Sequence, residues 1–180
     1  MQNIIYLLLP LANLVFFGLY YADEVVFSQI PLTTYGTAAL AAVCEELFFR
    51  GILLHHAVFS FRMHPLWAAG MVSCLFGILH IVNCFSYATW DYVMIQVLCA
   101  IAAGMLLADI YLERGIIACV LWHITINITG ALHYSGNSQP DYHLNVYMLS
   151  GYTLIAVWYL WCGVQRLKRQ QNTIAEKEFK

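Results

Sequence analysis

The sequence predicts an all-α fold, a polytopic transmembrane bundle of about six helices forming a single membrane domain over residues 1–180. Three observations predict it. The chain is 62% hydrophobic and only 10% charged, with mean hydropathy +0.70, whereas soluble domains carry about 25% charged residues. Its apolar runs reach the ~20 residues that a helix needs to cross a ~30 Å hydrocarbon core. Its basic residues fall on alternate connections between those runs.

Taken in order, the expected spans cover roughly residues 3–22, 34–60, 65–86, 91–112, 115–134 and 144–164. The first, within "MQNIIYLLLPLANLVFFGLYYADE", lacks the basic start and clean cleavage site of a signal peptide and reads as a retained helix. The second is long enough to tilt or to extend into the interface. The fourth and fifth are separated only by "LERG" (112–115), which predicts a tight turn. The connections after the first, third and fifth spans carry Asp23, Glu24, Asp91 and Asp141 but no Lys or Arg. Those after the second and fourth carry Arg62 and Arg114, and the tail at about 165–180 carries Arg166, Lys168, Arg169, Lys177 and Lys180. Every basic residue except Arg50 thus lies on one side, which the positive-inside rule makes cytoplasmic, with both termini inside. Tyr20, Tyr21, Trp67, Trp90, Trp158 and Trp161 stand near span ends, where interfacial aromatic belts form. No basic tract for nucleic acid exists beyond the short tail. The 6 cysteines are scattered singly, without C-x-x-C, and read as packing residues.

Against this apolar background "AAVCEELFFRGILL" (41–54) places three charged groups where lipid should be. Each costs roughly 2.5–3.5 kcal/mol at mid-bilayer on insertion scales, so a compensating arrangement is required. Glu46 and Arg50 are four apart and share a helix face, where they can pair. Glu45 lies ~100° around the helix and is left free to face the bundle interior. The third span contributes His80, and the fifth contributes His123 and Asn127 on one face. Because irregular backbone cannot face lipid, a membrane-embedded site must be assembled from helix faces such as these. A purely structural reading treats Glu46–Arg50 as an ion pair and the histidines and Asn127 as interhelical hydrogen-bonding groups. It must account for all of them in one small bundle. His55, His56, His64, His133, His143 and Asp109 are expected at the interfaces, Asp109 with a supporting role as the alternative.

"EELFFRG" (Glu45 to Gly51) resembles the E-E-x-x-x-R motif of the CPBP intramembrane proteases, the CAAX proteases and bacteriocin-processing enzymes also called the Abi family. "FGILH" (Phe76 to His80) is similar to their F-x-x-x-H motif, and "HITIN" (His123 to Asn127) to their H-x-x-x-N/D motif. The order and the placing of one motif per helix also match, over a core of about residues 34–134. The resemblance implies a membrane-embedded endopeptidase in which Glu45 is the general base and His80 helps to position or activate water. His123 and Asn127 would stabilise the oxyanion. Glu46 and Arg50 would support Glu45, and Phe76 would pack beside His80. It also implies a membrane protein or peptide substrate, and location in the cytoplasmic membrane of a prokaryote.

The chemistry is coherent on its own terms. Peptide hydrolysis needs an activated water and donors for the tetrahedral oxyanion, each worth ~3 kcal/mol of barrier. A carboxylate removed from bulk water is the stronger base. No serine is matched to either histidine by a motif, so covalent catalysis is disfavoured. The mechanism expected is metal-free, with no cofactor. The alternative is a zinc ion held by Glu45, His80 and His123, since two histidines and a glutamate form a catalytic zinc set. Two other classes stay open: a non-catalytic scaffold or immunity-type protein that binds a peptide, and a transporter using the polar cluster as a proton or ion relay.

Overall fold

The computed structural model describes residues 31–85 and 90–134, together with the single helical positions Leu154, Val157, Trp161, Val164 and Gln165. Among the described residues every regular element is helical. The expected spans at 34–60, 65–86, 91–112 and 115–134 correspond to four helical segments. Those at 3–22 and 144–164 lie outside the described residues, apart from the single positions named.

Helix α1 (Leu32–Glu46) follows Pro31, which takes an extended conformation and starts the helix. From Leu47 the coil widens, and Leu47–Leu54 and His56–Ser60 are π-helical. The His55 N–H accordingly bonds to the Arg50 carbonyl five residues back. Such widening is uncommon beyond a single turn and is frequent at functional sites. Apolar content alone does not distinguish it from an α-helix. The segment closes where Arg62 takes a positive φ of 51° and the Met63 N–H returns to the Ala57 carbonyl at 2.9 Å.

Helix α2 (Pro65–Leu79) begins with proline at its first turn, where the missing N–H is not needed. The His64 ring caps it, accepting from the Leu66 N–H at 3.2 Å. The helix tightens into a 3₁₀ segment, His80–Phe85. Helix α3 (Trp90–Arg114) ends at Gly115, whose φ of 82° suits glycine. The Gly115 N–H bonds to the Tyr111 carbonyl at 2.8 Å, closing a left-handed cap. Helix α4 (Ile116–Tyr134) starts at once, so the expected tight turn at "LERG" is present.

Helix α2 packs along α3 and α1 along α4, while α3 also meets α4. One apolar cluster joins Phe49, Leu54, Val72, Phe76, Met105 and Ala108 across α1, α2 and α3. A second joins Leu106, Ile110, Cys119 and Trp122 between α3 and α4. The distribution of polarity is inverted relative to a water-soluble protein. Glu46, Arg50, Ser73, Asp109 and His123 are buried, while Trp67 (71% exposed), Leu98 (63%) and Ile117 (73%) face outward. Charged residues are almost never fully buried unless paired, and large contiguous apolar surfaces mark a membrane or an interface. Pro65–Phe85 and Gln96–Arg114 are each long and apolar enough to cross a membrane. Asp109, expected at an interface, is instead fully enclosed. It lies on the inward face of α3, so proximity to the helix end does not bring it to the surface.

Candidate active site

The site is built where α1 changes from α to π geometry, facing α4 and the end of α2. Arg50 Nη1 donates to Glu46 Oε1 at 2.7 Å, and both side chains are wholly buried. The pairing expected from their spacing is therefore made across the α-to-π junction. Arg50 Nη2 also donates to the Gly104 carbonyl of α3 at 3.3 Å. The guanidinium carbon stands 4.8 Å from the centre of the Phe76 ring. Such a contact adds a cation–π attraction in a desolvated setting.

Glu46 Oε1 has a second partner. His123, from α4, donates from Nδ1 to the same oxygen at 2.7 Å. The other ring nitrogen, Nε2, stands 3.5 Å from Glu45 Oε2. One imidazole thus bridges neighbouring carboxylates whose surroundings differ. The Glu46 side chain is 0% exposed and that of Glu45 34%. This difference follows from their angular separation on the helix.

His80 and Asn127 enter differently. His80 lies at the α-to-3₁₀ junction of α2, and its Nδ1 bonds to the Phe76 carbonyl at 2.9 Å. A carbonyl only accepts, so Nδ1 carries the proton and the neutral ring presents Nε2 as an acceptor. Phe76 meets His80 edge-on at 4.9 Å and His123 at 5.7 Å, so its ring separates the two imidazoles while contacting both. Asn127 donates from Nδ2 to the Ala38 carbonyl of α1 at 3.2 Å. That bond ties α4 to α1 two turns before Glu45, and a carboxamide nitrogen has a second N–H to offer.

Direct side-chain contacts therefore unite Glu45, Glu46, Arg50 and His123, with His80 linked through Phe76 and Asn127 through the backbone of α1. Sequence reasoning missed the Gly104 carbonyl. A backbone acceptor has no residue-type signature, and only helix packing reveals it. A Cβ at position 104 would lie 2.9 Å from Ser73 Cβ, so glycine is what lets α3 approach α2 this closely. His55 is exposed and bonds to the Tyr111 hydroxyl at 2.9 Å. It lines an open cleft of about 490 Å³ with Leu47, Phe59 and Leu112. Among the described residues no group of three His, Cys, Asp or Glu side chains is arranged to hold a metal ion.

An inverted-polarity helical fold around a buried carboxylate–histidine cluster defines the class, a membrane protein with a polar centre suited to acid–base chemistry. The model of the family described as Type II CAAX prenyl endopeptidase Rce1-like matches residues 7–129, a stretch that holds all three motifs. The chain belongs to this family of intramembrane proteases, hydrolases of the CPBP group. Comparison with curated proteins and with solved structures finds no match.

Proposed function

We propose that the protein is a glutamate-dependent intramembrane endopeptidase in which Glu45 activates water. The observation that carries the reading is the division of labour between adjacent glutamates. Glu46 is sealed and holds Arg50 and His123, while Glu45 is one-third exposed beside His123 Nε2. A general base must reach water and substrate, and its supporting pair must not move.

In this reading water attacks the scissile carbonyl carbon and its proton passes to Glu45, with the His80 Nε2 lone pair orienting the water. His123 gives its Nδ1 proton to Glu46, so it donates to an oxyanion only from a protonated Nε2. The proton collected by Glu45 can be shared to that nitrogen across the 3.5 Å separation. His123 then acts as donor when the oxyanion forms, and the second Asn127 N–H completes the hole. Return of the proton to the leaving amine nitrogen breaks the C–N bond and restores the site. No step uses a metal. The substrate is a membrane-anchored or exported protein or peptide. The six-span arrangement, both termini in the cytoplasm and residence in the cytoplasmic membrane belong to the same proposal.

The test compares membrane-peptide profiles from cells carrying wild type or Glu45→Gln at matched levels, reading new termini by mass spectrometry. A product that depends on Glu45 is expected, with a rate loss of roughly 10²–10⁴ for Glu45→Gln, and its formation in isolated membranes should survive a zinc chelator. Identical profiles would sink the enzyme reading in favour of a scaffold or relay. Loss on chelation with recovery on added zinc would move the mechanism to the metal-dependent form.

A further inference from the structure

Helix α2 does not simply end at its motif histidine. At His80 (φ −68°, ψ −12°) it tightens into a 3₁₀ segment of 6 residues, His80–Phe85. Runs of this geometry beyond three or four residues are uncommon, so something must hold it. The same segment carries a side-chain bond to α3, in which Asn83 Nδ2 donates to Gln96 Oε1 at 2.9 Å, both residues half-buried. Residues three apart eclipse in a 3₁₀ helix, which places Asn83 on the same face as His80. Reversion to an α-helix would rotate one against the other by ~60°.

We infer that the Asn83–Gln96 carboxamide pair positions His80, a role that rests on the peptidase reading given above. The His80 ring is otherwise held by its own helix, through the Phe76 carbonyl and the Phe76 ring. Neither contact fixes where the end of α2 lies relative to α3. The amide pair supplies that reference. Two turns further along α3 the Gly104 carbonyl does the same for Arg50. Helix α3 contributes none of the expected catalytic side chains, yet it braces both arms of the site.

The test uses the full-length protein in lipid nanodiscs with ¹⁵N-labelled histidine, the His80 signal being assigned by its loss in His80→Gln. Cleavage is followed in parallel in native membranes, with the Glu45-dependent product as the probe. Asn83→Ala and Gln96→Ala are each expected to slow cleavage roughly ten- to hundredfold and to shift His80 away from its Nδ1-protonated form. The double variant should be no slower than the slower single. The exchange Asn83→Gln with Gln96→Asn, which keeps the total length of the bridge, should restore both readouts. Wild-type rates and an unmoved His80 signal in the singles would overturn the inference. So would losses that multiply in the double variant, or a folded exchange variant that stays impaired. If Glu45→Gln cleaves like wild type, the peptidase reading falls, and the His80 signal alone decides whether the pair positions the ring.

Discussion

Glu45 and Glu46 share one chemistry and meet opposite environments, and the difference is a matter of helix rotation and of partners. Glu46 Oε1 receives both Arg50 and His123 at 2.7 Å. Removing one member of a buried pair leaves an uncompensated charge and costs about 3–5 kcal/mol. Arg50→Met is therefore expected to lower thermal stability in detergent by about that amount, whereas Glu45→Gln should melt close to wild type while losing cleavage. Equal destabilisation by both would contradict the assigned division. The i,i+4 pairing was legible in the sequence because helix periodicity dictates it. The bond from His123 to Glu46 was not, because the partners are 77 positions apart. The resemblance assigned His123 to the oxyanion, and the fold adds that its Nδ1 is already committed.

At the scale of elements, the close approach of α2 and α3 decides whether the Gly104 carbonyl can reach Arg50. A methyl group at Gly104 would stand 2.9 Å from Ser73 Cβ and 3.0 Å from Ser73 Oγ. Gly104→Ala should separate the helices, cost about 1–3 kcal/mol by overpacking and weaken cleavage. Adding Ser73→Gly removes the opposing Cβ and should recover most of both losses, as read by melting and by product formation. Failure of the second change to rescue the first would show that the spacing is set elsewhere. Four of the expected spans matched helical segments because apolar length is a strong signal. The π-helical stretch from Leu47 and the 3₁₀ turn at His80 were not legible, since a run of apolar residues is compatible with each coil width.

For the whole molecule, the decisive feature is inverted polarity, with charge inside and Leu, Ile and Trp outside. Leu98, at 63% exposure on α3, belongs to that outer surface. Leu98→Lys should reduce membrane insertion, the central cost being roughly 2.5–3.5 kcal/mol on insertion scales. A lysine there that inserts and folds like wild type would place this face against water or another helix. The proposed orientation is tested by reporter fusions at the two termini, both expected on the cytoplasmic side. An external terminus would break the agreement between the spans and the segregation of Arg62 and Arg114.

The sequence by itself determined that this is a helical membrane protein carrying a glutamate pair, two histidines and an asparagine on separate apolar segments. Composition, period and local spacing are properties of neighbours along the chain, so they can be read without a fold. Only the tertiary structure decided which glutamate is sealed, that one imidazole spans both, and that α3 braces the site through Gly104 and Gln96. Those outcomes depend on distances between residues remote in sequence, and helix packing sets them.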